Sequence, residues 1–220
     1  PFLALRGIGK RFPGVVALAD VDLDVAAGSV HALVGENGAG KSTLVKILGG
    51  ALPPDTGTVA LDGVPVRIPD PRDAARRGIA VVYQELSLAP DLSVAENIFL
   101  GRWPNWRRTP WLDRTAMHTA AAHALQTLGV VLPASASVRG LSIAQQQFVE
   151  IARALSLASR VLVLDEPSAV LTPHELGTLF AVVRTLASRG LAVVYISHRL
   201  EEIFAIADRV TVLRDGRLVA

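Results

Sequence analysis

Two kinds of hydrophobic pattern alternate along this chain of 220 residues. In residues 1–30 and 57–68, apolar and polar positions alternate over short stretches, a pattern typical of short strands with one face exposed to water. Asp-Gly pairs, which favour tight hairpin turns, lie at 62–63 and 215–216. These stretches predict antiparallel β-structure.

Runs of a second kind are almost uniformly apolar and rich in β-branched residues. Such runs are typical of strands covered on both faces, as in a parallel sheet whose strands are joined by crossover helices. They span residues 30–34, 79–83, 161–164 and 192–196. We therefore predict a mainly parallel sheet beside the antiparallel part.

Three helices are predicted after such runs. The first, 41–48, ends at a pair of glycines, and the second, 93–99, opens with the capping box Ser93-x-x-Glu96. The third, 142–157, repeats apolar residues at the i, i+3, i+4, i+7 spacing of one buried helix face. Together the patterns predict an α/β fold with a helix-rich lobe from about residue 90 to 158.

The composition narrows the chemistry. Half of the residues are hydrophobic, the formal net charge is +2 and there is no cysteine, which excludes a disulfide framework, Cys-ligated zinc, an iron–sulfur cluster and a thiol nucleophile. The near-balanced charge argues against a nucleic-acid binder, which normally carries a clustered basic face.

No apolar run approaches the ~18 residues of a membrane-spanning helix, and no signal-peptide pattern opens the chain. We therefore expect a cytoplasmic protein, and, because the chain begins at Pro1 rather than Met, a missing natural start.

The strongest local signal lies between the first apolar run and the first predicted helix. It matches the phosphate-binding pattern G-x-x-x-x-G-K-[ST] and reads Gly35-Glu36-Asn37-Gly38-Ala39-Gly40-Lys41-Ser42. Glycines let the backbone N–H groups turn inward, and the helix N-terminus adds partial positive charge, so such a loop holds the phosphates of a nucleotide. Lys41 can then reach the β- and γ-phosphates, and the Ser42 hydroxyl can bind Mg²⁺.

Two acids, Asp165 and Glu166, follow the third apolar run. An Asp at the end of a strand beside a phosphate loop is suited to hold Mg²⁺, directly or through water. Glu166 can polarise an attacking water molecule. Taken alone, an Asp-Glu pair after a strand is more often a helix-capping turn, and only the phosphate loop earlier in the chain favours the catalytic interpretation.

The segment shortly before these acids carries a family resemblance. Leu141-Ser142-Ile143-Ala144-Gln145-Gln146-Gln147 resembles the L-S-G-G-Q signature of ATP-binding cassette (ABC) ATPases. Ile143 and Ala144 replace the two glycines, a departure known in the tandem-domain ATPases of bacterial sugar importers. Independently of the family, Ser142 is placed as an N-cap, so its hydroxyl and the first free N–H groups of the helix form an anion site.

Further stretches extend the resemblance along nearly all of the chain. Residues 10–15 resemble the adenine-stacking segment of the family, with Phe12 as the ring, and 83–85 resemble its glutamine loop, with Gln84 near Mg²⁺ or the attacking water. Residues 168–172 resemble its dimer-contact loop, although Thr172 replaces the commoner Asp, and His198 corresponds to the histidine that contacts the γ-phosphate.

The resemblance implies an ABC ATPase: a P-loop NTPase core of mainly parallel sheet, an antiparallel β-subdomain and a helical lobe. Residues 1–220 would form a single nucleotide-binding domain, the first of two cassettes in a chain about twice this length. Such a domain binds and hydrolyses Mg-ATP to energise sugar import. The implied catalytic residues are Gln84, Glu166 and His198, and the implied metal-binding residues are Ser42, Gln84 and Asp165. The implied nucleotide-binding residues are Phe12, Gly35, Glu36, Asn37, Gly38, Ala39, Gly40, Lys41, Ser42 and Thr43, with Ser142 acting on the ATP of the opposite cassette.

The implied partners are a second cassette, in the same chain or another copy, transmembrane permease subunits and, indirectly, a periplasmic or extracellular sugar-binding protein, but no nucleic acid. The protein would lie peripherally on the cytoplasmic side of the cell membrane.

One alternative is an ABC-type ATPase acting on DNA or the ribosome. However, only 57 positions separate Gln84 from Leu141, which leaves no room for the long insertions of the DNA-repair relatives. Another alternative is a P-loop GTPase or a small-molecule kinase. The guanine pocket of a GTPase needs an Asn-Lys-x-Asp stretch, which this sequence lacks.

Several residues keep a structural alternative. Phe12 could be a core aromatic, Gln84 an exposed strand-end residue and His198 a helix cap or a surface group. Lys10 and Lys46 are interpreted as solvated surface charges. The segment 102–111, which contains all three tryptophans, fits either an interface near the membrane subunit or a proline-broken loop folded onto its own lobe.

Overall fold

The computed structural model describes residues 1–104 and 112–219. The chain forms two compact units. The first, called the sheet unit, contains Pro1–Gln84, Ser159–Ser168 and Val183–Ala220. The second, called the helical unit, contains Glu85–Ala158 and Ala169–Val182. It includes the segment predicted to be rich in helix.

The strands of the described residues form two sheets in the sheet unit. Six belong to a sheet with the order β10-β9-β3-β8-β7-β6, and four to a sheet with the order β2-β1-β4-β5. In chain order they are β1 Leu3–Phe12, β2 Val15–Val25, β3 Val30–Val34, β4 Thr56–Leu61, β5 Val64–Val66, β6 Ile79–Val82, β7 Val161–Asp165, β8 Ala192–Ile196, β9 Arg209–Arg214 and β10 Arg217–Leu218.

The larger sheet confirms the prediction from the apolar runs. Strands β3, β6, β7, β8 and β9 pair in parallel, and only β10 is antiparallel. All five residues of β7 and of β8 are buried, as expected for strands covered on both faces. Two boundaries differ from the prediction, because Tyr83 lies outside β6 and Asp165 is the last residue of β7.

The smaller sheet is antiparallel, as predicted, but its first two strands are 10 and 11 residues long rather than short. Three register shifts between them interrupt the alternation of sides, so the hydrophobic pattern resembles several short strands. The Asp62-Gly63 pair joins β4 to β5 with φ angles of 52° and 75°, and Asp215-Gly216 joins β9 to β10 with 48° and 74°. Positive φ at both positions is the geometry that Asp-Gly turns favour.

The helices include the three predicted ones. The first matches its predicted bounds, the second has the predicted capping box, and the third is capped by Ser142 and ends two residues earlier. No helix within the described residues is long and apolar enough to span a bilayer. In chain order the α-helices are α1 Lys41–Leu48, α2 Pro71–Arg76, α3 Val94–Ile98, α4 Arg114–Thr127, α5 Ile143–Leu155, α6 Pro173–Ser188 and α7 Leu200–Ile206.

Four of these helices were not specified by the sequence analysis. Helix α2 carries the signal that could have found it, because the Asp70 side chain caps it and Pro71 is its first residue. Helix α4 gives a weaker signal: it buries only Met117, Ala121 and Leu125, and many of its other positions are alanine or threonine. Its apolar face becomes recognisable only where it packs with α3 and α5.

The interpretation of Lys10 as a solvated surface charge is wrong. Its residue is only 9% exposed, and its ammonium donates hydrogen bonds to the Pro53 carbonyl at 2.8 Å and to the Asp55 carboxylate at 2.7 Å. A buried ammonium needs such partners to replace its hydration. Both partners lie more than 40 positions along the chain, so no local pattern around Lys10 indicates them. Lys46 is exposed, as predicted.

The parallel pairing determines where functional side chains can meet. Strands β3, β6, β7 and β8 all run in the same direction, so their carboxyl ends share one edge of the sheet. These ends lead into the glycine-rich loop 35–40, Gln84, Glu166 and His198, respectively. The sheet therefore gathers residues that lie more than 160 positions apart in the chain.

Candidate functional site

The glycine-rich loop between β3 and α1 depends on two kinds of glycine. At Gly40 the φ angle is 109°, and an added Cβ would lie 2.5 Å from the Ala17 carbonyl oxygen and 2.8 Å from a methyl carbon of Leu18. Gly35 has no such φ requirement, but an added Cβ would collide with the Leu213 carbonyl oxygen. At Gly38 the φ angle is 86° and the space around it is open. The loop therefore needs glycine both for close packing and for its left-handed turns.

Lys41, the first residue of α1, turns back into this loop. Its residue is 6% exposed, and its ammonium donates hydrogen bonds to the carbonyl oxygens of Gly35 at 2.7 Å and Glu36 at 3.1 Å. The positive charge is thus held at the N-terminus of α1, where the helix dipole is also positive. This arrangement concentrates positive potential where an anion can approach.

A cavity of about 540 Å³ opens at this loop within the sheet unit. Its walls combine backbone from the loop, the hydroxyls of the first helical turn, and polar side chains from the ends of β6, β7 and β8. The residues that line it are Val15, Ala17, Glu36, Asn37, Gly38, Gly40, Lys41, Ser42, Thr43, Gln84, Glu166 and His198.

Glu166 and His198 form a pair in the lining of this cavity. The Nδ1 atom of His198 lies 3.3 Å from Oε1 of Glu166, and the Glu166 side chain is 16% exposed whereas that of His198 is 57% exposed. The backbone of Glu166 is left-handed, with φ of 47°, and its N–H donates to the Ile196 carbonyl at 3.0 Å. A non-glycine residue in this conformation stores strain, which the surrounding structure must offset and which is common at functional sites.

Asp165 is 8% exposed and lies directly before Glu166. Burial raises the pKa of its carboxyl above the usual range, and the neighbouring Glu166 adds to the increase, whereas Lys41 and Lys46 oppose it. The negative charge of Asp165 is therefore incompletely compensated by the protein. A cation nearby would stabilise this charge.

The donor set fits a magnesium ion. Ser42, Gln84 and Asp165 offer hydroxyl, amide and carboxylate oxygens, which are the ligands that Mg²⁺ prefers, and Ser42 and Gln84 line the same cavity. Residues 1–104 and 112–219 contain no cluster of three or more His, Cys, Asp or Glu side chains around one metal position. Magnesium sites that use one or two protein ligands together with phosphate oxygens need no such cluster.

Not every residue implied by the family resemblance lines the cavity. Phe12, Gly35, Ala39 and Asp165 are outside the lining set. Phe12 is 41% exposed, which argues against the core-aromatic alternative, and its ring centroid lies 5.9 Å from the ammonium of Lys10. The other implied residues of the sheet unit meet at one place.

Two lining residues, Val15 and Ala17, were not predicted as site residues, although Val15 ends the segment 10–15 that resembles the adenine-stacking segment of the family. They lie at the beginning of β2, in a stretch of ordinary strand residues. Their side chains carry no polar group, so only the family resemblance of residues 10–15 indicated this part of the chain, and no sequence signal indicated Ala17. The nearby Ala17 carbonyl also approaches Gly40 and Gly216.

The helical unit contains Ser142 and Thr172, the two implied positions outside the sheet unit. The Ser142 hydroxyl accepts from the Gln145 N–H at 3.2 Å, and the Gln145 side chain accepts from the Ser142 N–H at 2.9 Å, a complete capping box at the N-terminus of α5. Thr172 forms the same reciprocal pattern with Glu175 at the beginning of α6. Capping therefore accounts for both hydroxyls structurally.

The tryptophan-rich segment falls largely outside the described residues, which exclude 105–111 and hence Trp106 and Trp111. Trp103 is 43% exposed, and its indole N–H donates to the Glu96 carbonyl at 3.2 Å. Arg102 donates to the carbonyl and the hydroxyl of Ser156. The first two residues of the segment are thus attached to their own lobe.

The chain is similar to known proteins along its whole length. Residues 18–169 match the model of a family described as ABC transporter. The chain is 58% identical over 218 residues to the ribose import ATP-binding protein RbsA 1 of Burkholderia thailandensis, covering 99% of this chain and 43% of that protein. It is 57% identical over 220 residues to a ribose import ATP-binding protein RbsA 1 of Streptomyces coelicolor, covering 100% of this chain and 43% of that protein. The chain therefore spans less than half the length of these relatives.

A solved structure shares the fold. The crystal structure of a nucleotide-free ATP-binding cassette from an ABC transporter superimposes with a TM-score of 0.88 at 27% sequence identity. The match covers 100% of this chain and 90% of that one. The α/β architecture with a mainly parallel sheet is thereby confirmed.

The loop glycines allow a matched test. We expect Gly40→Ala to reduce the free energy of unfolding by about 3 kcal/mol or more, because the new methyl group meets backbone that cannot move away and the left-handed conformation is strained. Gly38→Ala should cost only about 1 kcal/mol, since it adds strain without a collision. Urea denaturation of both variants measures the difference, and equal losses would contradict the packing role of Gly40.

Proposed function

This chain belongs to the ABC transporter family, and we propose that it binds and hydrolyses Mg-ATP to energise the import of a sugar through a membrane transporter. One observation carries the proposal: a single cavity brings the glycine-rich loop together with Gln84, Glu166 and His198. Its relatives include ribose import ATP-binding proteins, which supports a sugar as the transported molecule.

Binding of ATP would use the loop and the first turn of α1. The N–H groups of the loop and the helix N-terminus favour phosphate oxygens, and the Lys41 ammonium adds a point charge. Because Lys41 already contacts the carbonyls of Gly35 and Glu36, little reorganisation is needed to place its charge. Thr43 lines the same wall, and Phe12, exposed beside the beginning of β2, is our candidate for contact with the adenine ring.

Hydrolysis would depend on the pair at the ends of β7 and β8. We assign Glu166 as the group that polarises the attacking water, and His198 as a donor to the γ-phosphate. Ser42, Gln84 and Asp165 would hold Mg²⁺. When bound, this ion neutralises charge that develops on the phosphate oxygens. The protein contributes mainly positioning and electrostatic stabilisation.

A complete site would need a second cassette. By the family resemblance, two cassettes close face to face, and Ser142 acts on the ATP held by the opposite one. We propose that this chain is the first of two cassettes, and its match to only 43% of the relatives' length is consistent with that arrangement.

The proposed partners are transmembrane permease subunits and, indirectly, a sugar-binding protein outside the membrane. The protein would lie peripherally on the cytoplasmic side of the membrane. No comparison points to the DNA or ribosome alternative. Stimulation of ATP hydrolysis by DNA or by ribosomes would support it.

Loss of the Lys41 charge should weaken nucleotide binding. We expect Lys41→Ala to lower the affinity for ATP by about 10- to 100-fold, since charge-assisted hydrogen bonds to phosphate are lost. Lys46→Ala is the control, because Lys46 is an exposed lysine of the same helix. Isothermal titration calorimetry with Mg-ATP measures both, and equal affinities would contradict the assignment.

Glu166 should matter for turnover and not for binding. We expect Glu166→Gln to bind ATP with an affinity within about twofold of that of the unmodified protein. Its turnover should fall by about 100-fold or more, because the amide is a poor base. Phosphate release and calorimetry give the two quantities. A parallel loss of binding would mean that Glu166 has a structural or metal-binding role instead.

The dependence of turnover on protein concentration tests the need for a second cassette. This chain alone should bind ATP but hydrolyse it slowly, with a specific activity that falls on dilution, because the opposite signature must come from another copy. Phosphate release is measured over a hundredfold dilution series at saturating Mg-ATP. A specific activity that stays constant on dilution would contradict the shared site.

A further inference from the structure

The buried carboxylate of Glu202 bonds to the two chain segments that contain Glu166 and His198. Glu202, on α7, is 2% exposed. Three hydroxyl groups donate hydrogen bonds to its Oε2 atom: those of Ser168 at 2.6 Å, Ser197 at 2.9 Å and Tyr195 at 3.0 Å. The guanidinium of Arg199 lies 3.0 Å from its Oε1 atom. These five side chains are called the Glu202 cluster below.

The cluster joins the two segments that carry the pair. Ser168 is two residues after Glu166, at the end of the chain segment that leaves β7. Ser197 and Arg199 directly precede and follow His198. Both segments belong to the sheet unit. A single carboxylate therefore bonds to the chain near Glu166 and on both sides of His198.

The cluster strongly restricts the positions of the residues that bond to Glu202. A buried carboxylate is costly unless donors replace its hydration, so Ser168, Ser197 and Tyr195 cannot move away without leaving it unsatisfied. Burial, reinforced by the charge of Glu202, raises the pKa of the Tyr195 phenol, which keeps its proton available for donation. The Ser197 hydroxyl also accepts from the Arg199 N–H at 3.1 Å, which fixes the turn around His198.

The strained backbone at Glu166 requires such support. Its φ of 47° persists only if the surrounding structure favours it over the relaxed alternatives. The hydrogen bond from its N–H to Ile196 fixes one side of the segment, and the bond from Ser168 to Glu202 fixes the other. Glu202 itself does not line the cavity, so it acts only through its neighbours.

We propose that Glu202 is a positioning residue that sets the separation of Glu166 and His198 in the nucleotide site. The effect of Glu202 on catalysis rests on the proposed function. Its effect on the 3.3 Å distance between the Glu166 and His198 side chains does not. The two can therefore be tested separately.

The test compares Glu202→Gln with Glu201→Gln. The two substitutions are chemically identical and adjacent on α7, but Glu201 is exposed. In Glu202→Gln an NH2 group replaces one acceptor oxygen in a cluster of donors, so the variant loses either the ion pair with Arg199 or the hydroxyl bonds that end on the other oxygen. Tyr195→Phe is a milder second variant, which removes one donor and keeps the ring packing in case Glu202→Gln fails to fold.

Crystal structures of the nucleotide-free variants give the first measurement. We expect the approach of His198 to Glu166 to lengthen by about 1 Å or to split into several conformers in Glu202→Gln and, less, in Tyr195→Phe, whereas Glu201→Gln keeps it. An unchanged pair in both cluster variants would overturn the proposal. This outcome does not depend on whether the protein hydrolyses ATP.

Kinetics give the second measurement. We expect Glu202→Gln to lower kcat by about tenfold or more with the KM for ATP changed less than about twofold, because the phosphate loop is untouched while the reacting groups are misplaced. A variant that loses kcat and affinity together, or only thermal stability, would assign Glu202 a general structural role. If the unmodified protein itself neither binds nor hydrolyses Mg-ATP, the proposed function fails, and the crystallographic comparison still decides the geometric role of Glu202.

Discussion

The parallel hydrogen-bonding of β3, β8, β7 and β6 is the constraint on which the rest of the structure depends. Parallel strands end at the same edge, and each strand in this set delivers one component of the site there. Strands β7 and β8 are neighbours in this sheet, which brings Glu166 and His198, the residues that follow their ends, within 3.3 Å of each other. Helices cover both faces of such a sheet, so the strands are apolar and the chemistry is confined to their ends.

Around this edge, the protein handles buried charge in three different ways. The ammonium of Lys41 is satisfied by two backbone carbonyls. One oxygen of the Glu202 carboxylate accepts from three hydroxyls, whereas the other forms an ion pair with Arg199 without a hydrogen bond. Asp165 is left with a raised pKa, because burial and Glu166 outweigh its two lysine neighbours. Lys41 and Glu202 hold the positions of the groups they bond to, whereas the incompletely compensated Asp165 is suited to receive a cation.

The departures from the family pattern leave the helix caps at both positions intact. In the helical unit, Ser142 and Thr172 each cap a helix through a reciprocal bond to the side chain three residues later. Thr172 replaces the Asp that is commoner in the family, and both residue types are good N-caps. Ile143, which stands where a glycine is usual, is 49% exposed at the N-terminus of α5, so it adds an apolar side chain next to Ser142 without a cost in packing.

Local order was determined by the sequence alone. The phosphate-loop spacing, the apolar runs, the Asp-Gly turns and the caps at Ser93 and Ser142 each depend on residues only a few positions apart, and the structure contains all of them. The sequence also placed Gln84, Glu166 and His198 at strand ends, but their convergence followed only from the family resemblance. The tertiary structure decided the partners that are distant in the chain: the burial of Lys10 against Pro53 and Asp55, the wall formed by Val15 and Ala17, and the bonds from Glu202 to Ser168. The physical reason is that a carboxylate or an ammonium can pair with many different partners, and only the tertiary packing of strands, loops and helices selects which of them come within hydrogen-bond distance.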